Sequence, residues 1–412
     1  MLGGNPTLKK LVYVVSGGVS RHAERRPDVP FSTLIKEAYE YALGCLGVSL
    51  QDGADLIDGA VASYAPRSRC QANQAAAVME HLGLFPKSVI QINQEDVTGG
   101  TCFQEAVRRI ELHDMDICLA YGWEANHESA HNEPDSVVYH ETHTLHATLE
   151  QMAKVCVKNH RNAAHNPYAH RGGMIDLGNG EHVTAAQLTV EDVRRSEPIA
   201  GPLTRLDVYD TISNSAAVCL LASETGLRRL RKAGAKLKRM VFVSGMGCAH
   251  TCADSDQQDG FHNPAQIAAH MAYASARITY PLWELDFVEM HDFDTSYEIK
   301  TYEDMGFCDT GKGGAFVDNG FPFLNTVDYG KACRQYTKRR VIAVNPSGGL
   351  NACGHSGVAT ALRQTVFSLW QIQGTIREHF GSDLLQVPDA RRGAVHSHAE
   401  TGDMVTVSIL ER

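Results

Sequence analysis

The sequence has no apolar run long enough to cross a membrane as a helix. No stretch of its 412 residues approaches the roughly 18 uncharged apolar residues that such a span needs. Near the start, Lys9 and Lys10 precede only the short apolar run 11–15, whereas a signal peptide needs an apolar core of about 7–15 residues. We therefore expect a cytoplasmic protein that does not interact with membranes.

Positive charge and paired cysteines are also scarce. Lys and Arg number 38 against 48 Asp and Glu, a formal net charge of −10, so the basic surface that nucleic acids require is missing. The 11 cysteines lack paired spacing, which is typical of reduced thiols. The cluster Cys248, His250, Cys252 and His262 lacks the second ligand pair of a structural zinc site, and no G-x-G-x-x-G follows a predicted strand. We expect no nucleic acid, no metal and no bound cofactor.

Length and periodicity predict an α/β fold with more than one core. A chain of 412 residues exceeds the range over which a single hydrophobic core keeps growing. Short apolar runs alternate with helical periodicity, and the second half repeats the order of the first. The predicted strands are 11–16, 57–63, 89–93, 117–122, 216–222, 240–244, 285–290, 341–344 and 404–410, and the predicted helices are 30–46, 73–82, 100–112, 264–277 and 356–380.

A polar segment interrupts the alternation of strands and helices. From residue 125 to about 202 the composition shifts to His, Asn, Glu and Gly, with few large apolar residues. We interpret this segment as a long insertion over the core, one that contact with another molecule would order.

Two specific motifs occur in the second half. The first begins with Glu289-Met-His-Asp292 and continues through Tyr297-Glu298 and Glu303-Asp-Met-Gly306 to Gly311-Lys-Gly-Gly314. The second is Asn345-Pro-Ser-Gly-Gly-Leu350, followed by Gly354-His355. They resemble the E-x-HD…GKGG and NPSGGL…GH segments of the sterol-carrier-type thiolases.

Further matches extend the resemblance over roughly residues 10–410. Ile92-Asn93 and Thr98-Gly99 follow the strand and turn that carry the family's nucleophile. Lys158-Asn159-His160, with Asn166-Pro167, is similar to its KNH…NP segment. Thiolase-like aldolases share part of this pattern.

The resemblance implies an α/β thiolase fold, in which two βαβαβαββ half-domains pack as five αβαβα layers. Residues 1–124 and 203–250 would form the N-terminal half, 125–202 a loop domain over coenzyme A, and 251–412 the C-terminal half. It also implies a homodimeric core, with acyl-CoA and CoA as substrates rather than bound cofactors.

The same resemblance implies roles for individual residues. His355, in the GH motif, would be the general base, and His291, in the HD motif, would help to hold an oxyanion. Asn345 would orient a neighbour, and Gly348 and Gly349 would approach the bound CoA. These roles suit an enolate beside a thioester, which needs a base and donors aimed at the oxygen where charge develops.

The nucleophile position departs from the family. The alignment places Asp96 where the acyl-accepting cysteine stands and Phe293 where a second cysteine stands, and the predicted C-terminal loop 396–402 has none. Asp96 is either a base stabilised at a helix N-terminus or the N-cap of the helix near residue 100. Cys102 and Cys353 could substitute as nucleophiles, although a buried inert thiol explains either position.

Three functions stay open. Retention of both histidines favours a thiolase-type acyl-CoA C-acyltransferase with an atypical nucleophile, which we rank first. Loss of the cysteines favours a retro-aldolase acting on a β-hydroxyacyl-CoA, and a non-catalytic subunit of a heteromeric complex is the third reading. The resemblance also implies a small OB-fold, zinc-ribbon partner protein that would carry the zinc.

Overall fold

A computed structural model describes most of the chain. The described residues are 10–23, 26, 28–64, 74–125, 147–200, 203–208, 213–250, 263–333, 342–399 and 402–412. Cys252 and His262, two of the residues considered above for a metal site, lie outside them. Within the described ranges, no helix combines the length and apolar character that crossing a membrane demands.

Ten strands of the described residues form one mixed sheet, and four shorter strands form two separate hairpins. The strands are β1 Tyr13–Val19, β2 Gly59–Ser63, β3 Ser88–Ile92, β4 Ile117–Glu124, β5 Met174–Asp176, β6 His182–Thr184, β7 Pro198–Ala200, β8 Leu203–Thr204, β9 Ser215–Ala222, β10 Val241–His250, β11 Phe287–Met290, β12 Ala343–Val344, β13 Arg392–His398 and β14 Met404–Glu411.

Helices flank and divide this sheet. They are α1 Phe31–Leu46, α2 Leu50–Leu56, α3 Gln74–His81, α4 Thr98–Glu111, α5 Leu149–Ala163, α6 Val190–Arg195, α7 Glu224–Lys232, α8 Pro264–Ala276, α9 Pro281–Glu284, α10 Thr295–Asp304, α11 Gly313–Asp318, α12 Gly349–Cys353, α13 Thr360–Gln373 and α14 Ile376–Phe380.

The ten-stranded sheet consists of two halves with the same topology. The N-terminal half-sheet has the order β3-β2-β4-β9-β1, and the C-terminal half-sheet has the order β12-β11-β13-β14-β10. In each half the second strand pairs in parallel with the third and the fourth, and the fifth pairs antiparallel with the fourth and the first. The halves join through β1 and β10 at only two registered pairs, Tyr13 with Phe242 and Val14 with Val241.

Two helices occupy the space between the half-sheets. Helices α4 and α13 each contact strands of both halves, whereas α1 packs on the N-terminal half-sheet and α8 on the C-terminal one. Every residue of α13 from Thr360 to Ile372 is buried, as expected for a helix with a sheet on either side. The predicted layered thiolase fold is therefore confirmed.

A glycine contact brings α4 close to the segment that leads into α13. A Cβ atom on Gly99 would lie 2.7 Å from the carbonyl oxygen of Val358 and 3.3 Å from the Cβ atom of Ala361. Val358 belongs to the 3-10 turn Gly357–Ala359. Only a residue without a side chain allows this approach.

Three local predictions were wrong. The predicted helix 356–380 is divided into the 3-10 turn, α13 and α14, because Gly374 adopts a left-handed φ of 74° that ends α13. Residues 396–398 belong to strand β13 rather than to a loop. The insertion is not short of packing residues, since α5 begins with a capping box at Thr148 and buries Met152 and Val155 in the core.

Candidate active site

The site lies where several strands end and the buried helices begin. His291 directly follows β11, Asp96 lies between β3 and α4, and His398 is the last residue of β13. His355 lies between α12 and the 3-10 turn before α13. Ligands bind at the carboxyl ends of strands in open α/β sheets, so the topology itself directs these side chains to one place.

Asp96 and His355 are in direct contact. The Nε2 atom of His355 lies 3.3 Å from Oδ2 of Asp96, and the two side chains are 0% and 8% exposed. The other ring nitrogen, Nδ1, lies 3.0 Å from the hydroxyl of Thr360, which fixes the orientation of the ring. Asp96 is not the N-cap of α4, since that position is occupied by Val97. The structure therefore places a carboxylate against an oriented imidazole, at the position where the resemblance led us to expect a cysteine.

His291 lies beside this pair. Its ring centroid is 5.0 Å from that of His355 and 4.2 Å from that of His398. Among the described residues, neither ring nitrogen of His291 has a hydrogen-bond partner, although the side chain is fully buried. Burial, and then the neighbouring His398 and His355, lower the pKa of His291 well below its usual range. The ring is accordingly neutral near pH 7.

Sequence reasoning missed two further histidines. His398 packs against Tyr297, with ring centroids 4.4 Å apart, and its Nε2 lies 3.1 Å from the backbone oxygen of His291. Burial lowers the pKa of His398 to about 4. His396 is also fully buried, and its ring lies 5.8 Å from that of His398. Their i, i+2 spacing places both side chains on the same face of β13, a signal that the sequence did contain.

A buried ion pair lies on the C-terminal side of the site. Nζ of Lys158 lies 2.8 Å from Oε1 of Glu298, and both side chains are fully buried. The amide of Asn159 donates to Glu298 at 2.8 Å and to Asp292 at 3.0 Å. The KNH segment and the HD motif are thereby connected by contacts that satisfy buried charges.

Asn345 is part of the same network. Its side-chain oxygen accepts the backbone N–H of Met290 at 2.8 Å, and its amide donates to Glu298 at 3.0 Å. The residue has a left-handed φ of 49°, which Asn tolerates better than most residues. Asn345 therefore positions the end of β11, the strand that His291 follows.

The two predicted CoA-binding glycines lie against protein atoms. A Cβ on Gly348 would come 2.8 Å from the Cβ of Ala163, and one on Gly349 would come 2.2 Å from Oδ2 of Asp292. Both have positive φ, of 114° and 63°. Packing and backbone conformation thus account for both glycines, and their contact with CoA stays a prediction.

The two candidate substitute thiols are buried in the hydrophobic core. Sγ of Cys353 lies 3.5 Å from the amide of Asn166, and burial raises its pKa to about 11. Sγ of Cys102 lies 3.3 Å from the carbonyl oxygen of Val61, and burial raises its pKa well above the usual range. Both thiols are protonated near neutral pH, whereas a nucleophilic cysteine needs a thiolate.

Fold and site together resemble those of the thiolases. Residues 247–412 match the model of the family described as thiolase C-terminal domain-like. That region contains Asn345 and all four histidines described above, His291, His355, His396 and His398. The resemblance to the thiolase superfamily, and within it to sterol-carrier-type thiolases and thiolase-like aldolases, is confirmed.

Individual relatives are similar over most of the chain. The acetyl-CoA acetyltransferase of Methanothermobacter thermautotrophicus is 27% identical over 408 residues, which cover 93% of this chain and 95% of that protein. Sterol carrier protein 2 of Oryctolagus cuniculus is 27% identical over 370 residues, 89% of this chain and 59% of that protein. The solved structure of the Ltp2-ChsH2(DUF35) aldolase superposes with a TM-score of 0.72 at 16% identity, covering 97% of each chain, which shows a common fold.

Proposed function

We propose that this protein is an enzyme that cleaves or forms a carbon–carbon bond in an acyl-CoA by a lyase-type reaction, with no acyl group carried on a cysteine. The observation that carries the proposal is the 3.3 Å contact between Asp96 and His355 at the position where an acyl-accepting cysteine would stand. A carboxylate paired with an imidazole moves protons well. It carries an acyl group badly, because the product would be a reactive mixed anhydride.

The three buried side chains can divide the reaction between them. In cleavage of a β-hydroxyacyl-CoA, the Asp96–His355 pair takes the hydroxyl proton as the Cα–Cβ bond breaks and a carbonyl product leaves. The electron pair of that bond becomes the enolate of the shortened acyl-CoA. His291, 5.0 Å from His355 between ring centroids, donates to the enolate oxygen, and the proton returns to Cα.

Acyl transfer, the function ranked first on sequence, needs a nucleophile that these residues do not offer. Cys353 and Cys102 are both buried, with raised pKa values, and their sulfur atoms contact Asn166 and Val61. The names of the relatives leave both reactions possible, since one is an acetyltransferase and another an aldolase. The geometry supports the lyase better.

An exchange experiment tests the enolate directly. The purified protein is mixed with an acyl-CoA in D₂O, and loss of the Cα proton is followed by NMR. We expect exchange in the parent protein and its loss in Asp96→Asn and His355→Ala. A stable acyl-enzyme detected by intact-protein mass spectrometry on Cys353 or Cys102 would contradict the proposal and restore acyl transfer.

We further propose a heteromeric assembly in the cytoplasm, with a homodimer of this chain at its core and a small OB-fold, zinc-ribbon partner. The fold neighbour is named as a pair of components, Ltp2 and ChsH2(DUF35), which supports this proposal. The loop domain 125–202 would cover CoA at the contact between this chain and its partner. Exclusion of water there would protect an enolate. Co-expression with neighbouring genes, followed by mass determination and assay, tests the assembly. Full activity from a homodimer alone would contradict it.

A further inference from the structure

Within the described part of the chain, packing rather than hydrogen bonding holds the ring of His291. Neither of its nitrogens has a hydrogen-bond partner there, whereas the ring of His355 is fixed by the hydroxyl of Thr360 at 3.0 Å. His398 is the nearer of its two ring neighbours in this region, with 4.2 Å between centroids and 43° between planes, and His355 follows at 5.0 Å and 66°. His398 is therefore the side chain best placed to set the angle of the His291 ring.

The ring of His398 is itself anchored to the backbone. Its Nε2 lies 3.1 Å from the carbonyl oxygen of His291, and its Nδ1 lies 2.6 Å from that of Ala399. Burial lowers the pKa of His398 to about 4, so the ring is neutral near pH 7 and carries one N–H. In either tautomer this N–H faces a backbone oxygen, which keeps the ring in place at the end of β13.

A third ring supports His398. The centroid of the Tyr297 ring lies 4.4 Å from that of His398, with 37° between the planes. Tyr297 is in the first turn of α10, where its backbone N–H donates to the N-cap side chain of Asp294 at 2.8 Å. Such a cap stabilises the helix end that carries the ring. Tyr297, His398 and His291 thus form a continuous series of ring contacts from α10 to the proposed enolate donor.

We propose that His398 is a positioning residue, whose ring holds the imidazole of His291 at the angle from which it donates to the enolate oxygen. The catalytic consequence rests on the proposed function, because His291 is that donor only in the proposed reaction. Both nitrogens of His398 face backbone oxygens, so its effect on the reaction passes through His291. A donor for developing charge has to be aligned in advance, and a misplacement of about 1 Å can cost about 100-fold in rate.

Two substitutions separate the ring from its nitrogens. His398→Gln removes the ring but keeps a side chain that can donate to the backbone, whereas His398→Phe keeps a ring and removes both nitrogens. Exchange of the Cα protons of acetyl-CoA in D₂O, followed by NMR, measures formation of the enolate. At saturating acetyl-CoA we expect the exchange rate to fall at least about 10-fold in His398→Gln and about threefold or less in His398→Phe. The half-saturating concentration should stay near that of the parent, because only the transition state loses a contact.

His379→Gln is the matched control. The ring of His379 is stacked on that of Trp370 at 3.9 Å between centroids, and its Nδ1 lies 2.7 Å from the hydroxyl of Tyr41. Burial lowers its pKa to about 4, as in His398. It belongs to α14, and its ring contacts among the described residues are with Trp370 and Tyr41 rather than with the site. The same substitution here should leave the exchange rate unchanged.

Crystal structures of the variants provide a readout that needs no activity. We expect the ring of His291 to rotate or to lose its single orientation in His398→Gln, and to keep the parent orientation in His398→Phe and His379→Gln. Circular dichroism identifies a variant that fails to fold. Tyr297→Leu, which removes the ring that supports His398, then tests the same role, and it should lower the exchange rate in the same direction.

The outcomes separate this role from the proposed function. Parent-like exchange in His398→Gln or in Tyr297→Leu, an equal fall in His398→Phe or His379→Gln, or an unmoved His291 ring in His398→Gln would overturn the positioning role. Exchange that is normal in the parent and in all these variants would overturn it and leave the proposed function standing. A displaced His291 ring in His398→Gln, with no exchange in the parent protein, would support the positioning of the ring and count against the proposed function.

Discussion

The two halves of the molecule share a topology but not a chemistry. In both, the strands follow the spatial order third, second, fourth, fifth, first, with the same pattern of parallel and antiparallel pairs. The third strand of the N-terminal half is followed by Asp96, and that of the C-terminal half by Asn345. The fourth strands end at Glu124 and His398. At equivalent places the repeated fold thus carries carboxylates in the N-terminal half and an amide and an imidazole in the C-terminal half.

The halves also differ in how their side chains are held. On the C-terminal side, Asp292 and Asn345 are connected through the buried Lys158–Glu298 pair and Asn159. The N-terminal half contributes Asp96, which meets the other half through His355. The difference teaches that the side chains of the C-terminal half are fixed by their own network, whereas Asp96 is held across the contact between the halves.

The largest expected effect comes from breaking the ion pair on the C-terminal side. Lys158→Met leaves the fully buried Glu298 without its cation, so we expect a loss of about 3–5 kcal/mol in the free energy of unfolding. Urea denaturation measures it. Lys154→Met is the control on the same helix, because its partner Asp318 is exposed and its loss should cost about 1 kcal/mol or less. Equal losses in the two variants would contradict this account.

Removal of either imidazole from the proposed catalytic group should have the second-largest effect. We expect His355→Ala and His291→Ala each to reduce turnover by about 100-fold or more while the fold stays intact, because both act where charge develops. A 100-fold loss corresponds to about 2.7 kcal/mol in the activation barrier. Steady-state kinetics and circular dichroism provide the measurements. Near-parent rates in either variant would remove that residue from the site.

Substitution of Asp96, on the N-terminal side of the site, should reduce turnover by a smaller factor. Asp96→Asn keeps the shape of the side chain but removes its carboxylate, and we expect turnover to fall roughly 10- to 100-fold, because Asp96 assists proton transfer through His355. Binding of CoA, measured by calorimetry, should stay largely unchanged. An acyl adduct mapped to residue 96 by mass spectrometry would show that the aspartate carries the acyl group after all.

The smallest effect concerns pH. The pKa of His398 is lowered to about 4 by burial, so the stability it contributes is present above the unfolded value near 6.5 and is lost as the pH falls towards 4. Below pH 6.5, the free energy of unfolding should fall by about 1.4 kcal/mol per pH unit more steeply in the parent than in His398→Gln. Urea denaturation at pH 7, 6 and 5 compares the slopes. Parallel slopes would mean that His398 titrates normally.

Motifs allowed the C-terminal half of the site to be predicted better than the N-terminal half. His291 and His355 each lie in a contiguous motif, and the structure brings their rings within 5.0 Å. The Lys158–Glu298 pair joins residues far apart in the chain, and no local pattern specifies such a contact. The Asp96–His355 contact depends on how the two halves pack, which strand and helix periodicity does not encode.

The missed elements have local causes. The resemblance led us to expect a loop at residues 396–402, whereas residues 396–398 complete strand β13, where packing against neighbouring strands decides the conformation. Helix α5 was hidden by the polar composition around it, although its Thr148–Gln151 capping box was present in the sequence. The split of the predicted helix 356–380 follows from Gly374, a residue typical of helix ends.

The glycine contact between the halves has a practical consequence for protein engineering. Gly99 lets α4 approach the turn that precedes α13, and a methyl group there would meet the Val358 oxygen at 2.7 Å. Because Asp96 precedes α4 and His355 precedes this turn, we expect a larger residue at position 99 to disturb the 3.3 Å contact between them. Position 99 is therefore a place from which the contact between the carboxylate and the imidazole can be altered without replacing either side chain.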